Sequence, residues 1–284
     1  MQNQSILAIV LLLAISNVSY AAMTCDSITL KVVEAGSGLP VEYASARIKG
    51  RSTGFLSGQD GTLLMNLDHK YDNDTLSISC IGYETCDIKI SDIRTDTTAF
   101  LSRRQFGLPE VYVTPRKYKT KLQGKKHSFG IASIPFYEKR GSIIGIESNA
   151  KNDRAQWLTK FGFYIKPTAD RLSKMKFRIS VYDATDVKGR ESSAFQDYGI
   201  KPVYVDYTSA MIDNDKFVHT FEEPIYLPCK AMVAIEFLED MGNERIVSRH
   251  NILGSGVWTS SPASKQWVKF PVATPFFIEV IQSK

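Results

Sequence analysis

The stretch Leu76-Ser77-Ile78-Ser79-Cys80-Ile81-Gly82-Tyr83-Glu84-Thr85-Cys86-Asp87-Ile88-Lys89-Ile90 decides how this sequence reads. Its apolar residues recur at every second position on both sides of Gly82-Tyr83, which is the period of a β-strand. Folded as a hairpin centred on Tyr83, it sets Leu76 opposite Ile90, Ile78 opposite Ile88 and Cys80 opposite Cys86, all on one face. The other face carries Ser77, Ser79, Asp87 and Lys89, so one side suits a core and the other suits water. The same register brings Cys80 and Cys86 to the short end of disulfide geometry. Two reduced thiols packed as small hydrophobes fit that face equally well, and both readings stand. Cys25 and Cys229 are too isolated in sequence for either to be assigned a partner.

The rhythm extends on both sides. Alternation appears at Ile28–Val32 and Tyr43–Ile48, separated by turn chemistry at Gly36-Ser37-Gly38, Gly50, Gly58-Gln59-Asp60-Gly61 and Asp72-Asn73-Asp74. Short strands at this spacing predict a sandwich over residues 23–102. After Phe129 the alternation returns in Lys176–Tyr182, Ala231–Phe237 and Phe276–Ile281, with no sustained helical period. About eight strands with long loops, notably 183–198 and 239–249, predict a second sandwich over 129–284, with a jelly roll as one arrangement. The fold class is therefore all-β in both halves. A chain of 284 residues suits two such domains. With 43% hydrophobic and 11% aromatic residues it is globular rather than disordered, and a net charge of +5 is too small to indicate a nucleic-acid partner.

Three motifs in order carry a family resemblance. Gly38-Leu39-Pro40-Val41-Glu42-Tyr43-Ala44 resembles the opening of the carboxypeptidase-regulatory-like domain, a transthyretin-like, seven-stranded sandwich common in Bacteroidetes envelope proteins. Gly54, Ser57, Asp60 and Gly61 are similar to its Asp- and Gly-rich hairpin, with Gly58 where the family has Asp. Leu76–Tyr83 resembles its third signature. The resemblance implies a non-catalytic module that sits beside the part that does the work, often ahead of an outer-membrane transporter. Leu108–Thr114 looks like the segment that joins the two in such transporters. The 170 residues after Thr114 are too few for a plug and a large barrel, so the chain is expected to partner an outer-membrane transport system rather than to be one.

The front of the chain predicts export. Ile6–Ile15 is an apolar run too short to span a bilayer, and small residues around Ala21-Ala22 suit cleavage, giving a signal peptide over 1–22. No later segment is apolar enough to cross a membrane as a helix. The expected location is the periplasm or the outer-membrane surface. Residues 103–128 hold eight Lys and Arg against Glu110 alone, which reads as a solvated basic linker.

Candidate binding residues lie on the second domain. Exposed aromatic rings stack on the apolar faces of sugars, and Trp258, Trp157, Trp267 and Tyr204 are the candidates. Trp258 leads because Gly254-Ser255-Gly256 and Ser260-Ser261-Pro262 flank it, a signature of mobile surface. A tryptophan in a β protein is also an ordinary source of core area. No catalytic, metal or cofactor site is expected. His219-Thr220-Phe221-Glu222 matches half of a zinc carboxypeptidase site, but among His69, His127 and His250 only His250 lies downstream, and no α/β scaffold surrounds it. Asp213-Asn214-Asp215 reads as a turn, and Glu222-Glu223 and Glu239-Asp240 are adjacent pairs that point apart on strands. The leading expectation is an exported, non-catalytic binding or accessory protein for an envelope glycan or a protein partner. A glycan-directed hydrolase and a structural envelope subunit are the alternatives.

Overall fold

The computed structural model describes residues 25–105, 118–126, 132–136, 139–150, 155–165, 173–193, 195–227, 229–250, 256–261 and 264–283, giving the backbone alone at 132–136, 149, 248–250, 265 and 283. The expected signal segment, Leu108–Thr114 and His127 lie outside these residues.

The first unit holds seven described strands. They are β1 (Cys25–Glu34), β2 (Ser45–Ile48), β3 (Gly54–Leu56), β4 (Thr62–Asp68), β5 (Thr75–Ser79), β6 (Cys86–Lys89) and β7 (Thr98–Leu101), with one helical turn, α1 (Ile90–Ile93), before β7. They form two sheets, β4-β1-β7 and β3-β2-β5-β6, in which β1 and β7 run parallel and every other pair antiparallel. Period-two side chains fill the space between the sheets: Leu30 and Val32 of β1, Leu63 and Leu67 of β4, Ile48 of β2, and Leu76 and Ile78 of β5 are fully buried. Each such aliphatic side chain contributes about 1.5–3 kcal/mol of transfer free energy.

The hairpin differs from expectation in one way. Ile78, not Cys80, lies opposite Cys86, and Ile88 faces Leu76, so the register is shifted by two residues. The strands part early because the backbone of 80–85 is satisfied elsewhere. Glu84 N–H donates to Ser102 O at 2.9 Å, Tyr83 bridges Arg103, and Gly82, at φ +85°, donates its N–H to Asp197 of the second unit. Ile90 then opens α1 instead of extending β6. The cross-strand position expected for Cys80 and Cys86 is thereby lost, and both are free thiols.

The second unit comprises β8 (Tyr118–Gly124), β9 (Ala132–Phe136), β10 (Ile143–Asn149), β11 (Gln156–Tyr164), β12 (Lys174–Asp183), β13 (Glu191–Ser192), β14 (Gln196–Asp197), β15 (Val203–Thr208), β16 (Lys216–Leu227), β17 (Lys230–Phe237), β18 (Ile246–His250), β19 (Val257–Ser261), β20 (Ser264–Phe270) and β21 (Phe276–Ser283). Its large sheet runs β13-β20-β19-β10-β17-β12-β14, with β15 also on β12. A four-stranded sheet, β16-β11-β21-β8, covers one face of it, and β9 pairs with β18. The core between the sheets is aromatic, with Phe163 stacked on Phe217 at 5.0 Å and Tyr207, Phe177 and Phe276 around them. Against about eight strands expected, the unit holds fourteen among the described residues: β8 comes from the expected linker, and β13, β14 and β18 fall in or overlap the loops expected at 183–198 and 239–249. The expected linker is also corrected in its second half. Tyr118–Gly124 pairs with β21 as an edge strand, where exposed lysine is a normal way to block further pairing.

Two local features give tests. Gly61 sits at φ +75°, and a Cβ there would lie 2.5 Å from Val32 O, the oxygen that holds Val41 N–H. Gly61→Ala is therefore expected to destabilise the chain by about 1–3 kcal/mol in urea titration; unchanged stability would refute the strain. At the start of β1, the His69 ring bridges two carboxylates, Nε2 to Asp26 at 2.9 Å and Nδ1 to Asp72 at 3.0 Å, while Arg94 joins the same pair. The Asp72 hydrogen bond, aided by Asp26 and opposed by Arg94 and burial, raises the His69 pKa above 6.5. Its contribution is thus complete below the unfolded value and lost as pH rises through the higher folded value. The melting-temperature advantage of wild type over His69→Gln should be present near about pH 6 and fade by about pH 8. An advantage independent of pH would contradict the bridge.

Candidate functional site

Strand alternation creates two polar faces that meet. With Ala46, Ile48, Leu76 and Ile78 turned into the first core, β2 and β5 must present Ser45, Arg47, Ser77 and Ser79 on their other face. With Phe177, Ile179 and Val181 turned into the second core, β12 must present Arg178, Ser180 and Tyr182 outward, and β17 likewise presents Glu236. These faces look towards each other, which is why Ser77 is buried although it points away from its own core.

Several contacts hold the two units together. Gly82 N–H donates to Asp197 Oδ2 at 2.5 Å, and Arg140 Nη2 donates to Ser57 O at 2.7 Å. Tyr43 packs on Tyr204 with ring centroids 5.7 Å apart, and Tyr43, Leu56 and Leu238 form a small apolar cluster. Between these contacts lies a cleft of about 430 Å³. One wall is Ser45, Arg47 and Ser79; the opposite wall carries Ser260, Ser261 and Ser264 beside the rings of Tyr182, Phe195 and Trp267. A second hollow of about 680 Å³ adjoins it, sharing Cys80, Ile81, Tyr83 and Arg104 and reaching Tyr204.

Arg178 and Glu236 also line the cleft, 3% and 2% exposed, in direct register across β12 and β17. Both Nε and Nη2 of Arg178 donate to the same oxygen, Glu236 Oε2, at 2.7 and 2.6 Å. Arg178 Nη1 and Glu236 Oε1 are left without a hydrogen-bond partner among the described residues, as is Ser180 Oγ. Burial opposes the charge on Arg178, but the Glu236 carboxylate beside it favours that charge and its pKa is raised. Burial raises the pKa of Glu236, with Arg178 pulling the other way. Burial likewise pushes up the Cys80 thiol and the Tyr182 and Tyr204 phenols, so these groups remain protonated donors at neutral pH. The second carboxylate of the cleft, Asp197, accepts from the backbone N–H groups of Gly82 and Gly199.

The four aromatic candidates are distributed unevenly. Trp267, 6% exposed, forms part of the cleft wall with Tyr182 at 5.2 Å and Phe195 at 4.9 Å. Tyr204, 39% exposed, lies at the adjoining hollow. Trp258 is 1% exposed, which corrects the reading of it as a surface platform. Gly145 stands opposite it on β10, Met232 and Ala234 pack with it in a small cluster, and Phe195 covers it edge-on at 4.9 Å. Trp157 lies on the four-stranded sheet between Tyr118 and Tyr226, each 5.7 Å away, and does not line the cleft. His219 packs its ring on Phe221, and burial lowers its pKa. Among the described residues, no group of three His, Cys, Asp or Glu is placed to hold a metal. The sequence reading missed Arg47, Arg178, Glu236 and Asp197. Its available signal was a lone charge in the middle of an apolar strand, Phe177-Arg178-Ile179 and Ile235-Glu236-Phe237.

No family model and no curated protein matches the chain. Among solved structures, one from Bacteroides uniformis ATCC 8492, described as a "putative carbohydrate binding protein", covers 87% of this chain and 96% of its own at 11% identity, with a TM-score of 0.22. A likeness at that score carries no argument about what this chain does.

The buried pair makes its own test. Arg178→Met or Glu236→Leu alone strands a buried partner and should cost about 3–5 kcal/mol in chemical denaturation, whereas the double variant Arg178→Met/Glu236→Leu should recover most of that loss. Additive losses would show that the two residues do not act as a pair.

Proposed function

We propose that this chain is an exported, non-catalytic binding protein that holds a glycan in the cleft between its two sandwiches. The observation that carries the reading is a donor and an acceptor without partners among the described residues on one buried ion pair, Arg178 Nη1 and Glu236 Oε1, both residues lining that cleft. A hydroxyl group donates and accepts at once, so it completes both where an aliphatic group or a simple ion completes at most one. Rows of serine on both walls suit further hydroxyls, and the partly exposed rings of Tyr182 and Phe195, backed by the buried Trp267, offer apolar surface for the carbon face of a sugar. Of the two carboxylates, one is engaged by Arg178 and the other by two backbone amides, an arrangement for holding rather than for proton transfer.

Export rests on the leader-like pattern of residues 1–22. The first unit is proposed as a carboxypeptidase-regulatory-like module; its seven strands in two sheets, and Gly61 at a backbone angle that favours glycine, support that reading. In an envelope the module would serve as the wall that closes the cleft as well as a spacer.

Binding to a glycan array by the full chain tests the proposal, alongside Thr85→Trp and Ser193→Trp. Both positions are exposed and line the cleft from opposite sides. Each bulky ring is expected to weaken glycan retention about tenfold or more with an unchanged melting temperature. An array that retains nothing, or plugged variants that bind as wild type does, would overturn it.

A further inference from the structure

We infer that the glycan held in the cleft is acidic, its charge a carboxylate or a sulfate ester captured by Arg47. This rests on the cleft being the glycan site. Arg47 lies in the middle of β2, on the face turned away from its own core. There an arginine ordinarily extends into water; here the second unit covers it, and the residue is only half-exposed. Its Nε is fully buried and has no hydrogen-bond partner among the described residues. Its direct cross-strand neighbours are Gly54 and Ser77, neither of them a carboxylate, and Ser77 Oγ is itself buried and without a hydrogen-bond partner among the described residues.

The charges of the cleft point the same way. Arg47, Arg104 and Arg178 line it against Asp197 and Glu236. Glu236 is engaged by Arg178 at 2.6 Å, and Asp197 is turned to the backbone amides that join the units. That leaves Arg47 facing the cavity with no carboxylate paired to it among the described residues. A guanidinium presents its N–H groups as a planar fork that matches the oxygens of a carboxylate or sulfate, whereas a neutral hydroxyl satisfies one N–H and leaves the charge uncompensated. The ligand is thus read at two points: hydroxyls at Arg178 and Glu236, and an anion at Arg47.

The test uses the full chain on neutral, uronate-bearing and sulfated oligosaccharides, with the carboxyl-reduced and desulfated forms of whatever is retained. Acidic glycans are expected to be retained, and removing their charge is expected to weaken binding about tenfold or more. Arg47→Gln should weaken it similarly, and Arg47→Lys less, because it keeps the charge and loses the fork. The arm that binds identifies carboxylate or sulfate. Neutral glycans bound as tightly as acidic ones, with Arg47→Gln unchanged, would overturn the acidic reading and leave the cleft as a glycan site. Retention of no glycan at all would overturn both. Should Arg47→Gln fail to fold, the charge-removed ligands on wild type decide the matter.

Discussion

A strand that buries one face in its own core must still dispose of the other, and in this protein that second face is what makes the molecule more than two linked sandwiches. Phe177, Ile179 and Val181 commit β12 to the core of the second unit, which leaves Arg178 and Tyr182 on the reverse. Covering that reverse with the first unit removes the Arg178–Glu236 pair from water, and a buried ion pair is tolerated only if its hydrogen bonds are met. Among the described residues the pair is half met, and under the proposed function a bound glycan in the cavity beside it would supply the remainder.

The interface is polar where two domains sliding freely would need it, and specific where a fixed cleft would. Gly82, Arg140 and the Tyr43–Tyr204 contact fix the approach of the units at separate points. Loop 80–85 takes part because it has left the hairpin: its backbone groups bond to Ser102 and Asp197 rather than across to β6. The same departure that separates Cys80 from Cys86 therefore builds the wall between the cleft and its adjoining hollow.

The strands were legible because burial imposes period two, and Ile28–Val32, Lys176–Tyr182 and Ala231–Phe237 show it openly. Hairpin register was not, because the two-residue shift is set by Ser102 and Asp197, which lie far away in sequence. Lysines at 119 and 121 read as linker because an edge strand and a solvated tether use the same residues for the same reason, exposure to water. Trp258 misled because its glycine- and serine-rich flanks have the composition of a surface loop, whereas Met232, Ala234 and Phe195, which bury the ring, lie far from it in sequence. The cleft itself could not be read from either half, since each wall alone is an ordinary solvent-facing strand; only the isolated charges at Arg178 and Glu236 hinted that the solvent face was not facing solvent.

The most direct measurement is a crystal structure of the full chain bound to a retained oligosaccharide. Sugar is expected between the Arg47 wall and the Trp267 wall, with a hydroxyl within hydrogen-bond distance of both Arg178 Nη1 and Glu236 Oε1. Sugar seated instead on the four-stranded sheet around Trp157, with those two atoms still bare, would contradict it.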